Sequence, residues 1–136
     1  LNSLRGRGKN MPDNINLFEE KFSKAAYVTT LAAGAKETLA STPQERSQYG
    51  QYNSLIVTNR DAVDVKIILD DNANITGNIF EIQAGTNFVI DPSEGILFSF
   101  VSITNLHSAT AVTANTIRVR WARYVPQTNP DKLGLK

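Results

Sequence analysis

Few residues in this chain have the chemistry for catalysis. There is a single histidine, His107, and no cysteine, which excludes thiolate metal sites, thiol nucleophiles and multi-histidine metal sites together. A Ser-His-Asp relay would have to use His107, which stands beside Ser108 in a small polar stretch, and no serine sits in a nucleophile-elbow pattern. Gly85 and Gly95 fall at turns, and Gly6 with Gly8 do not make a phosphate-cradling loop. Carboxylates for glycosidase-type acid–base work could come from Asp61, Asp64, Asp70, Asp71, Glu81, Asp91 or Glu94. Nothing in their spacing converges two of them, so they read as charges on turns and solvated strand faces.

Two further patterns point to bland readings. Asp70, Asn72, Asn74 and Glu81 stand at positions 1, 3, 5 and 12 of a calcium-loop spacing, but Ile75 replaces the glycine at the sixth and the flanks read as strands. A polar turn accounts for them better. Arg118, Arg120 and Arg123 with Trp121 and Tyr124 have the composition of a nucleic-acid platform, yet alternation puts Trp121 on the face opposite Arg118 and Arg120. The expectation is a core tryptophan beside exposed arginines. The chain is therefore read as a non-enzyme with no metal and no cofactor.

The elements that position these residues are read as strands. Residues 95–105, GILFSFVSITN, hold six apolar residues in eleven and read as a central strand, with Ile96, Phe98 and Phe100 on one face and Leu97, Val101 and Ile103 on the other. That run is too short for a membrane span, which needs about 20 residues. Val63, Val65, Ile67 and Leu69 alternate with Asp64, Lys66, Ile68 and Asp70, and residues 55–58 read as a strand before a turn at 59–61. Phe80 and Ile82, then Phe88 and Ile90, flank Ala84-Gly85 and read as a hairpin. Ile117, Val119, Trp121 and Val125 make the buried face of the last strand, with Arg118, Arg120 and Tyr124 on the other. Pro126 and Pro130 then end regular structure.

Toward the N-terminus the period changes. Ile15, Phe18, Phe22 and Ala25 or Ala26 recur at helical spacing, Asn16 and Glu19 resemble a capping box, and Glu20 precedes Lys24 by four, which predicts one short amphipathic helix. Residues 27–41 read as two short strands around Gly34. Residues 42–53, with Tyr49 and Tyr52, fit no period and read as a long exposed loop, a candidate contact surface.

At 136 residues and net charge +1, the chain has the size and balance of one ordinary globular domain. Arg5, Arg7 and Lys9 face no acid in the first ten residues, so the basicity is concentrated in an arm. The organisation expected is a basic N-terminal arm at 1–12, a domain at 13–125 and a C-terminal tail at 126–136. The fold class is all-β: a single β-sandwich, jelly-roll-like, of seven to eight strands, with one short N-terminal helix and a flexible basic arm.

The segments SLIVTN (54–59), VDVKIILDD, FEIQAGTNFVID and GILFSFVSITN follow one another in a way that resembles the small β-sandwich proteins of bacteriophage virions: vertex (penton), decoration and head-fibre proteins. The likeness covers about residues 32–125 and is one of style. It implies a structural virion protein of the capsid that forms a homo-oligomer and contacts the major capsid protein or other virion proteins. The arm resembles those with which capsid proteins lace subunits together or touch nucleic-acid phosphate. The alternative reading is a glycan- or host-receptor-binding module of a tail or head fibre. Interaction residues expected on either reading are Arg5, Arg7, Lys9, Tyr49, Tyr52, Arg118, Arg120 and Tyr124. Exposed aromatics separate the two, because a sugar platform needs them.

Overall fold

Alternating apolar and polar residues, rich in β-branched types, build eight strands within residues 18–127, the part of the chain that the computed structural model describes. They are β1 (Phe18–Tyr27), β2 (Lys36–Ala40), β3 (Ser54–Asn59), β4 (Val65–Leu69), β5 (Ile79–Ile82), β6 (Asn87–Ile90), β7 (Phe100–Asn105) and β8 (Ile117–Pro126). One α-helix, α1 (Pro43–Tyr49), lies between β2 and β3. Every pairing is antiparallel: β1 with β8, β2 with β7, β3 with β6 and β4 with β5, the four rungs of one long hairpin. Rolling that hairpin up adds β3 to β8 and β4 to β7, giving two four-stranded sheets ordered β1-β8-β3-β6 and β2-β7-β4-β5. This is a β-sandwich with jelly-roll strand order.

The inner faces meet in one core. Of the residues expected there, Leu55, Val57, Val65, Ile67, Leu69, Ile82, Ile90, Phe98, Ile117, Val119 and Trp121 are buried. Phe80 and Phe88 pack on its margin, their ring centroids 4.8 Å apart. Phe100 departs from expectation. The regular strand begins only at Phe100, so Val101 and Ile103 take the inner face while Phe100 is half-buried on the outer one. Phe98 reaches the core separately, through a lone bridge to Tyr52.

Three other local expectations are corrected. Residues 18–27 form strand β1 and not a helix, because a bulge between Glu20 and Phe22 shifts the pairing register by one residue. The bulge turns Phe22 and Ala26 toward the core while Phe18 lies on the opposite face, so a helical spacing arises in an extended chain. Glu20 pairs with Arg120 and Lys24 with Glu45, instead of with each other. Ile15 and Asn16 lie outside the described residues.

The second correction concerns residues 42–53, which contain α1. Thr42 is its N-cap in a reciprocal capping box with Glu45, Pro43 takes the first turn, and Gly50 ends it at φ 73°. The third concerns Ala84-Gly85. The turn is real, with Gly85 at φ 75°, but β5 pairs with β4 and β6 with β3, so the chain crosses there from one sheet to the other instead of forming a hairpin.

Candidate functional site

The outer face of sheet β1-β8-β3-β6 collects the functional side chains that the fold leaves open. Register rows cross all four strands: Ala25, Arg120, Ile56 and Val89 form one, and Tyr27, Arg118, Thr58 and Asn87 the next. Because Val57 and Val119 in the alternate positions are fully buried, these rows face outward. Arg118, Arg120 and Tyr124 are therefore brought together on one face, as their alternation along β8 requires.

At the centre, Arg120 Nη2 donates to Glu20 Oε1 at 2.5 Å and Tyr124 Oη donates to the same oxygen at 3.0 Å. Burial pushes the Glu20 carboxyl up, but hydrogen bonds from Ser23, Arg120 and Tyr124 outweigh it and hold the group below the usual carboxylate range. Toward one end lies an apolar cavity of about 240 Å³, lined by Phe18, Ser54, Ile56, Val89, Pro92 and Tyr124. Val89 sits on edge strand β6 and is 55% exposed. Toward the other end a second cavity of about 240 Å³ is lined by Tyr27, Thr58, Arg60, Asn115, Thr116 and Arg118.

The other expected interaction residues fare differently. Tyr52 is 0% exposed, against the expectation of an exposed ring: it lies among Phe22 and Phe98 beneath α1. Tyr49 stacks on Phe22 with ring centroids 4.6 Å apart. The tyrosine-bearing segment thus packs against β1 of the same chain. Arg5, Arg7 and Lys9 lie outside the described residues.

Acids and amides that look idle in the sequence hold the loops. Asp61 is buried; its carboxylate accepts from Thr113 N–H and the Thr116 hydroxyl at 2.8 and 2.7 Å and from Val63 N–H at 3.2 Å. Burial pushes this carboxyl up, and those bonds outweigh it, so it sits below its usual value. Asp70, at φ 57°, accepts from the backbone of Ser99 and Phe100, and Asp64 from Ala84. Asp71, at φ 52°, pairs with Lys36, and Asp91 and Glu94 cap one short turn between them. Asn72 accepts from Asn74 N–H. The members of the calcium-loop pattern do not converge, and no group of three or more His, Asp or Glu able to hold a metal occurs among the described residues.

Three buried asparagines tie strand ends to neighbouring loops. Asn59 donates to the carbonyls of Val63, Ile82 and Gln83 and accepts from Asp61 N–H. Asn105 donates to Leu31 and Thr110 and accepts from His107 N–H. Asn53 exchanges two hydrogen bonds with the backbone of Tyr124, as a strand residue would. Sequence reasoning missed these roles, though an asparagine closing an apolar alternation, as in SLIVTN and SITN, is a readable signal. His107 Nδ1 accepts from the N–H groups of Ala109 and Thr110, a loop cap.

No protein-family model matches this chain, and no curated protein is similar to it in sequence. No helix among the described residues is long and apolar enough to cross a membrane.

Proposed function

We propose that the protein is a structural component of a bacteriophage virion, a capsid vertex (penton), decoration or minor capsid protein that associates with its own copies and with the shell. The observation that carries this reading is the strand order β1-β8-β3-β6 against β2-β7-β4-β5, the jelly roll on which capsid subunits, lectins and cupins are built. A fold alone does not fix function, so the surface must separate these classes. The histidine and most of the candidate acids hold backbone groups in loops, which favours a scaffold over a reaction centre. With Tyr52 buried and Tyr49 and Tyr124 half-buried, Tyr27 is the one tyrosine that stands exposed among the described residues, which favours a scaffold over a sugar platform.

The apolar cavity beside edge strand β6 supports self-association, since an open edge carrying the exposed Val89, with half-buried Ile56 next to it on β3, invites a neighbouring chain. Light scattering on the purified full chain is the test. The wild type should form a closed oligomer that also co-sediments with particles, and Val89→Asp should give a monomer with an unchanged circular-dichroism spectrum. A wild type that stays monomeric at its highest soluble concentration while binding immobilised glycans would replace this reading with the glycan- or receptor-binding one.

A further inference from the structure

We infer that the cavity between Arg60 and Arg118 is a binding site for a tetrahedral oxyanion of the phosphate class, a role separate from self-association. The argument starts from strand register. Tyr27, Arg118 and Thr58 are direct neighbours across β1, β8 and β3 on the outer face. Arg60 is fixed just past the end of β3 by its N–H bond to Thr116 O at 2.9 Å, and Asn115 by its N–H bond to Val28 O at 3.1 Å. Two arginines, Arg60 and Arg118, therefore line one cavity together with Tyr27, Thr58, Asn115 and Thr116, residues whose polar groups can donate.

Charge makes the arrangement specific. The ion pairs among the described residues are Lys21–Glu19, Lys24–Glu45, Lys36–Asp71 and Arg120–Glu20, so neither Arg60 nor Arg118 is in one. The contrast along β8 is direct: Arg120 is neutralised by Glu20, and Arg118, two residues earlier on the same face, meets Tyr27 and Thr58 where an acid would be. Asp61, next to Arg60 in the chain and bonded to the cavity residue Thr116, is buried with both oxygens accepting hydrogen bonds, so it offsets the local charge without pairing with either arginine.

Two like charges sharing a cavity repel, and a doubly charged anion relieves that repulsion while accepting from both forks. A phosphate group near neutral pH carries about −1.5 to −2, which matches two guanidinium groups, whereas a carboxylate satisfies one. The cavity, about 240 Å³, has room for a tetrahedral anion and several waters at roughly 30 Å³ each.

The test uses the full-length ¹⁵N-labelled chain, titrated separately with inorganic phosphate, methyl phosphate and acetate at constant ionic strength made up with chloride. Saturable amide shifts confined to Tyr27, Thr58, Asn115, Thr116 and Arg118 are expected with phosphate. Arg118→Gln and Arg60→Gln should each weaken binding at least about tenfold, the worth of a charged hydrogen bond. Arg120→Gln, on the same face, should leave it unchanged. Methyl phosphate separates the sources: equal or tighter binding assigns the site to an esterified phosphate, and exclusion assigns it to the free ion. Shifts that do not saturate, acetate binding as tight as phosphate, or undiminished binding in folded Arg118→Gln would each overturn the assignment.

Discussion

Replacing Phe98 by alanine should cost far more stability than the same change at Phe100, although the two rings are neighbours in one apolar run. Phe98 is 0% exposed and packs against Tyr52, with centroids 6.0 Å apart. Removing about 170 Å² of buried ring at about 25 cal/mol/Å² gives roughly 4 kcal/mol, within the 3–5 typical of such truncations. That is a large share of the roughly 5–15 kcal/mol that holds a domain together. Phe100 is half-buried and lines an open groove with Thr38, Ala40 and Gly50, so its truncation should cost about 1–2 kcal/mol. Urea titration followed by tryptophan fluorescence reads both, because Trp121 is in the core. With m near 2 kcal/mol/M, the midpoint should fall by about 2 M for Phe98→Ala and under about 1 M for Phe100→Ala. Equal midpoints, or a larger loss at Phe100, would refute the placement of the two rings.

Three further outcomes are expected. Asn59→Leu should lower stability by about 2–4 kcal/mol, because it leaves the carbonyl of Val63 and the N–H of Asp61 buried without their partner; the same urea series measures it. Ser41→Ala removes the acceptor 2.8 Å from the buried Trp121 Nε1 and should cost about 1–3 kcal/mol with altered fluorescence, whereas an unchanged melt would show that bond to be unimportant. The third concerns acid. The Asp61 carboxyl is depressed in the folded chain, so its contribution is fully present above its ordinary value of 3.8 and is lost as pH falls from there through the lower folded value. Melting temperatures measured downward from pH 5 should therefore drop less steeply in Asp61→Asn than in the wild type, from a lower starting point.

The strands with a clear period of two are legible in the sequence: Val65–Leu69, broken only by the buried Ile68, and Ile117–Pro126 lie where that pattern puts them, and the pattern also places Arg118, Arg120 and Tyr124 on one face. What alternation does not encode is the partner. The Ala84-Gly85 turn looks the same whether the flanking strands pair with each other or pass to opposite sheets, and only the rest of the chain decides. A single bulge residue defeats the period at β1, since one inserted residue converts an extended pattern into an apparent helical one. Tyr52 hides for a related reason. Its neighbours Gln51 and Gly50 are exposed, and the ring is buried by a lone bridge to Phe98, which lies far along the chain. The Arg60–Arg118 cavity depends on register between β3 and β8, which no local pattern reports.

The position of β1 bears on how the chain folds. β1 has one ladder neighbour, β8, and contacts such as Glu20 with Tyr124 join residues 104 apart in sequence. Closing a loop of that length in the unfolded chain costs about 4 kcal/mol of chain entropy beyond a constant, which the ladder with β8 has to offset. Within the chain, the short tether through residues 28–35 keeps β1 beside β8 at an effective concentration on the order of millimolar, so an opened β1 returns to its own ladder.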